Sequence, residues 1–151
     1  MRIRTFFATF ALSLCSCTHT GNDPQDMAET AAAEFAEAYF NYHYKDAAAA
    51  ATADSRKWLE YAASNVTQGD VDMLRSADED ATVEIVSSAF EDDSRTKCAV
   101  RVNVGNFLRK DSINGKPGGY VRNACFLLHV ELDEGAGRWL VRMAGLPRSE
   151  K

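Results

Sequence analysis

Leu128-His129-Val130-Glu131-Leu132-Asp133-Glu134-Gly135-Ala136-Gly137-Arg138-Trp139-Leu140-Val141-Arg142-Met143 alternates apolar and polar side chains on both sides of a Glu-Gly-Ala-Gly break. Alternation sends every second side chain to one face of a strand, and an antiparallel hairpin sets facing residues opposite one another in a constant register. A loop of Glu134 to Gly137 pairs Asp133 with Arg138. The same register puts Leu132 opposite Trp139, Val130 opposite Val141 and Leu128 opposite Met143. Both apolar sets then share one face, while His129 opposes Arg142 and Glu131 opposes Leu140 on the other. A slip of one residue would bring one set out of the core, so the pattern specifies this hairpin.

Working back along the chain, Tyr120 to Asp133 reads as one strand with Ala124, Phe126, Leu128, Val130 and Leu132 on a single face. Thr96 to Val104 reads as its neighbour, with Cys98, Val100, Val102 and Val104 inward and Arg101 and Asn103 outward. Between them, Arg109 to Gly119 carries Asn114-Gly115 and Lys116-Pro117-Gly118-Gly119, the composition of a long hairpin loop. Thr82 to Phe90 has mixed parity, Val83 and Ile85 against Val86 and Phe90, which predicts a bulge or burial on both faces. Pairing the two central strands around Asn114 places Cys98 opposite Val130, five residues from Cys125 and on the other face. At ~3.3 Å per residue that separation disfavours a Cys98–Cys125 disulfide, which needs α-carbons ~4.4–6.8 Å apart. Only a bulge or another register, such as a tight turn at Asn114-Gly115 requires, would bring the pair together.

Before the strands the period is helical. Asp23 is placed to cap, Pro24 to take the first helical position, and Met27, Ala31, Phe35, Ala38, Tyr39 and Tyr42 form one apolar face. Lys45-Asp46 restarts the chain into the run Ala47 to Ala51. Asp54-Ser55 looks like a further cap, leading to Trp58, Leu59 and Ala62, and a short helix with Val71 and Leu74 is expected after a break at Gly69-Asp70. Helices followed by antiparallel strands make the fold class α+β.

The N-terminus reads as an export signal: basic Arg2 and Arg4, then an apolar run from Phe6 to Leu14 too short to span a bilayer. Leu14-Cys15-Ser16-Cys17 resembles a bacterial lipobox, with an aliphatic residue three before Cys17 and small Ser16 before it. Cys15 fits less well, because Leu14 would stand where a small side chain is wanted. Lipidation at Cys17 would attach the chain to a membrane through acyl groups, each buried methylene contributing ~0.8 kcal/mol. The organisation expected is a signal peptide over 1–16, a lipidated tether over 17–23, one domain over 24–147 and a C-terminal tail over 148–151. The location implied is the bacterial cell envelope, the outer membrane favoured, with the domain in the periplasm or at the cell surface.

The Phe35-Ala36-Glu37-Ala38-Tyr39-Phe40 helix, the Asp46-Ala47-Ala48-Ala49 restart and the terminal Gly137-Arg138-Trp139-Leu140-Val141 strand resemble the nuclear transport factor two superfamily, the cystatin-like cone, and within it small bacterial lipoproteins. The resemblance implies N-terminal helices packed in the concave face of a curved antiparallel sheet, with a pocket at the open end. It implies no single activity, since that scaffold serves isomerases, dehydratases, cyclases and binding modules alike.

Enzymes of that kind place a carboxylate or a His–carboxylate pair inside the pocket. The inward positions here are Val100, Val102, Val104, Phe126, Leu128, Val130, Trp139 and Val141, none ionisable. His129 falls on the outer face; His43, at the end of the first helix with Asp46 or Asp54 as partner, is the better acid–base candidate. Pocket-lining candidates are Phe35, Tyr39, Trp58, Val102, Phe126, Leu128 and Trp139, with Phe40, Tyr42 and Tyr44 as an exposed aromatic cluster. Three scattered histidines and no cysteine pair at ligand spacing, Cys15 leaving with the signal, give no metal site, and the glycines around Gly118 do not open a helix, so no cofactor is expected. Seventeen Lys and Arg stand against 22 Asp and Glu, and setting aside Arg2 and Arg4 leaves 15 against 22, a net of −7 that disfavours nucleic acid. The expectation is a non-enzymatic binding module for a small apolar ligand, a peptide or an envelope protein, monomeric or weakly dimeric. An isomerase or dehydratase using His43 is the alternative.

Overall fold

In a computed structural model the described residues are 23–110 and 117–151. They form α1 (Pro24–Phe40), α2 (Tyr44–Ala49), a 3-10 turn (Ala53–Ser55), α3 (Arg56–Ser64), α4 (Gln68–Ser76) and the strands β1 (Thr82–Phe90), β2 (Lys97–Lys110), β3 (Pro117–Asp133) and β4 (Arg138–Arg142). The strands make one antiparallel sheet in the order β1-β2-β3-β4. The fold is α+β.

Asp23 caps α1 by accepting the amide of Gln25 at 3.0 Å, and Pro24 follows where no amide hydrogen is needed. The buried stripe is Ala28, Ala31, Ala32, Phe35, Ala36 and Phe40, which corrects the expected face: Met27 is 38% exposed and Tyr42 lies beyond the helix end. Small alanines let the helix lie close to the sheet, and Phe35 and Phe40 fill the remaining depth. With Cys98, Val100, Val102, Val104, Phe126, Leu128, Val130, Trp139 and Val141 they make one core.

The β3–β4 hairpin has the register read above, from Asp133↔Arg138 to His129↔Arg142. β4 stops at Arg142, so Leu128 and Met143 are not ladder partners, yet both are buried in the core. In the central pair Cys98 faces Val130, and Cys98 and Cys125 are free thiols. β1 carries its bulge between Ile85 and Ser87, which leaves Val86 exposed and returns Ser88 and Phe90 to face Val100 and Cys98.

Two elements run further than the alternation predicted. β2 does not end at Val104 but continues through Asn106, whose φ of 51° bends the strand while its amide donates to Glu79 O at 3.0 Å. The bend makes Phe107 and Leu108 consecutive buried residues. β3 begins at Pro117, so Gly118 and Gly119 belong to a strand; the expected Asn114-Gly115 turn lies outside the described residues.

The helices between α1 and the sheet also differ from expectation. Gly69-Asp70 is not a break: α4 runs through both, capped at Thr67, whose hydroxyl accepts the Asp70 amide at 3.2 Å while Asp70 Oδ2 accepts the Thr67 amide at 2.7 Å. Ser55 makes no cap bond at the start of α3. Its hydroxyl instead accepts the Met143 amide at 2.8 Å, tying the helix start to the end of β4. Ala50 O and Thr52 N bond to Val141 and cover the β4 edge.

Candidate functional site

The end of α1 shapes the site. His43 N donates to Ala38 O at 2.8 Å and Tyr42 N to Tyr39 O at 3.1 Å, the two bonds of a Schellman cap. Glycine usually occupies the left-handed position of that cap, because an L side chain there costs ~1–2 kcal/mol. Here it is Tyr42, at φ 65°. Its hydroxyl donates to Leu108 O at 3.1 Å, and Asn41 exchanges two hydrogen bonds with Ala81, so the turn is fixed to both β2 and the start of β1. A bulky residue held in this conformation marks a place where the surroundings override local preference.

Beyond that turn opens a cavity of about 460 Å³. Its floor is the aromatic trio Phe40, Phe107 and Phe126, with ring centroids 4.6 to 5.6 Å apart. Tyr39, Tyr42 and Tyr44 form the helix-side wall, Tyr44 lying 5.6 Å from each of the other two. Tyr61 and Ala62 of α3, Val121 and Ala124 of β3, and the segment Leu146 to Ser149 complete it. That last segment is held in place: Ser149 bridges to Phe126, Glu150 N donates to Cys125 O at 2.8 Å, and Arg101 clamps the Glu150 carboxylate with contacts of 2.6 and 3.0 Å.

Burial pushes the Tyr39 phenol up to about 12, and raises Tyr42 and Tyr44 as well, helped by the Asp70 charge and by neighbouring phenols. All three stay neutral O–H groups at ordinary pH. The charged side chains of the lining are Arg109, Lys110 and Arg148; no Asp, Glu or His lines it among the described residues. Lys110 is committed to Asp70, a fully buried carboxylate, and to Asn65 O. Burial works to raise the Asp70 carboxyl, but the Lys110 and Thr67 donors hold it below the usual range.

Of the residues expected to line a pocket, Tyr39 and Phe126 do. Phe35, Val102 and Leu128 are buried in the core, Trp58 is half-buried against it, and Trp139 borders a separate groove of about 290 Å³ between α1 and β4. The exposed aromatic cluster needs correction too: Phe40 is 7% exposed because it sits on Phe107 and Phe126, and Tyr42 and Tyr44 are half-buried.

His43 is exposed at the position before α2, and Asp46 and Asp54 are exposed as well; no hydrogen bond joins these side chains among the described residues. His129 lies opposite Arg142 and bonds Glu91 at 2.9 Å. Among the described residues no three His, Cys, Asp or Glu side chains gather as metal ligands, and no helix is long and apolar enough to cross a membrane. Cys15, Cys17 and the tether up to Asn22 lie outside the described residues, while Asp23 is the cap of α1. Phe107, Leu108 and the Leu146–Ser149 segment were missed; Gly105-Asn106 inside a strand was the available sign of a bend. No protein-family model, no curated protein and no solved structure matches this chain.

Proposed function

We propose that this chain is a small-ligand binding module of the bacterial cell envelope, built as a cystatin-like cone and anchored by lipid at Cys17. The carrying observation is the open aromatic cavity whose wall includes Tyr42 in a left-handed backbone. Its volume lies in the ~300–1,000 Å³ range of small-molecule sites, and a lining of aromatics, phenols and cations suits uptake of an apolar body better than proton transfer. Helices preceding an antiparallel sheet, with the cavity at the far end of α1, support the cone. Seventeen helical residues at ~1.5 Å each set that mouth about 25 Å from Asp23, where the tether ends. An anchored domain would therefore open its cavity away from the bilayer.

The test uses phenylnaphthylamine, a neutral dye that fluoresces when desolvated. It is expected to bind with one-to-one stoichiometry. Tyr42→Gly should weaken binding about fivefold, the loss of one aromatic contact. The same variant should keep its stability within about 1 kcal/mol, because relief of backbone strain offsets the lost hydrogen bond. A chain that leaves the dye dark has no such site.

The anchor is tested separately, by labelling cells with a fatty-acid analogue. Label is expected on the parent and absent from Cys17→Ala; label retained by that variant would sink the lipobox assignment.

A further inference from the structure

The chain carries a net charge of −5, yet every charged side chain lining the cavity among the described residues is a cation. Lys110 is already neutralised by Asp70. Arg109 and Arg148 are exposed, and neither forms an ion pair with a described residue. An acidic protein that gathers arginines without an ion-pair partner among the described residues at a strongly aromatic opening presents a local field opposite to its overall charge. The neighbouring phenols add no competing negative charge, since burial moves them still further from ionisation.

From these features we infer that the cavity selects an aromatic anion: a planar apolar body on the Phe40–Phe107–Phe126 floor, with one carboxylate or sulfonate group directed toward Arg109 and Arg148. A guanidinium presents paired donors that match such a planar oxyanion. A cationic ligand would meet like charge at the same rim, and a neutral one would leave both arginines without a role. This inference rests on the binding-module reading and adds the charge of the ligand to it.

Anilinonaphthalene sulfonate and phenylnaphthylamine share one aromatic body and differ by the sulfonate, so the pair isolates the charge. On the full chain at low salt the sulfonate is expected to bind about tenfold more tightly, two exposed cations acting together. The preference should shrink as salt is added. In the Arg109→Gln/Arg148→Gln double variant the ratio of the two affinities should fall to about one, the sulfonate losing far more than phenylnaphthylamine; both side chains are exposed, so the fold is not at stake. Equal or tighter binding of the neutral dye, or a preference that survives the double variant, overturns the anion assignment and leaves the binding module standing. If neither dye binds, the binding module falls and the anion assignment with it.

Discussion

Phe35→Ala is expected to lower stability by about 3–5 kcal/mol, the cost of removing a large side chain from a filled core. Phe35 is 0% exposed, sits midway along α1 and stacks on Tyr39 with centroids 5.8 Å apart. Its neighbours on the helix are Ala31, Ala32 and Ala36, and it shares one core with the valines of β2. None of these can extend to fill the space, so the cavity would persist. Against a total stability of ~5–15 kcal/mol the variant keeps little margin, and its melting temperature should fall on the order of 15 °C or more. Phe35→Leu, which retains most of the volume, should lose distinctly less. Thermal melts and urea titrations of the parent and both variants decide it; a loss below about 1 kcal/mol for alanine would mean that α1 is not seated through this ring.

The sheet was legible because alternation is a binary signal. Val130, Leu132, Trp139 and Val141 admit one register, and Asp133↔Arg138 followed from it. Mixed parity in β1 correctly announced a bulge, since one extra residue is the cheapest way to bring Val83 and Ile85 together with Phe90 on one face. Helix faces were less legible. In α1 the sheet-facing stripe consists largely of alanine, and alanine occurs on every side of that helix, so Met27 was assigned a burial that Ala28 and Ala32 provide. At Gly69 composition suggested a stop, whereas the reciprocal Thr67–Asp70 cap was strong enough to start a helix one residue earlier.

The cavity was barely legible, for a different reason. Its walls come from five separate parts of the chain, and two of them exist only through backbone geometry that side-chain pattern does not encode. Tyr42 enters the wall because the Schellman turn accepts a left-handed tyrosine, and Phe107 reaches the floor because Asn106 bends β2. Tyr39 and Phe126 were found because they also obey the periodicity of their elements. Positions that periodicity marks as core, such as Val102 and Leu128, are core and are thereby removed from any ligand.

Lys110→Met should give the second large effect, about 3 kcal/mol at neutral pH, because it leaves the buried Asp70 carboxylate without its cation. The figure sits at the low end for a broken buried pair, since the Lys110 head is partly in solvent and the Thr67 amide and hydroxyl still donate to Asp70 Oδ2 at 2.7 and 2.9 Å. Asp70 Oδ1 has no partner among the described residues, so nothing else there replaces the ammonium. The pH dependence fixes the interpretation. In the parent the Asp70 carboxyl is held below its unfolded value of ~3.9. Its contribution is therefore complete above about pH 4 and is lost as pH falls through the folded value. The variant lacks that contribution, and protonating Asp70 removes its uncompensated charge, so the stability gap between parent and variant should close on acidification. Asp70→Asn in the Lys110→Met background should recover most of the loss at pH 7, because a neutral amide can still accept the Thr67 amide and close the α4 cap. A gap that stays constant from pH 7 to acid, or a double variant no better than the single one, would mean that Lys110 acts through the packing of its stem and not through its charge.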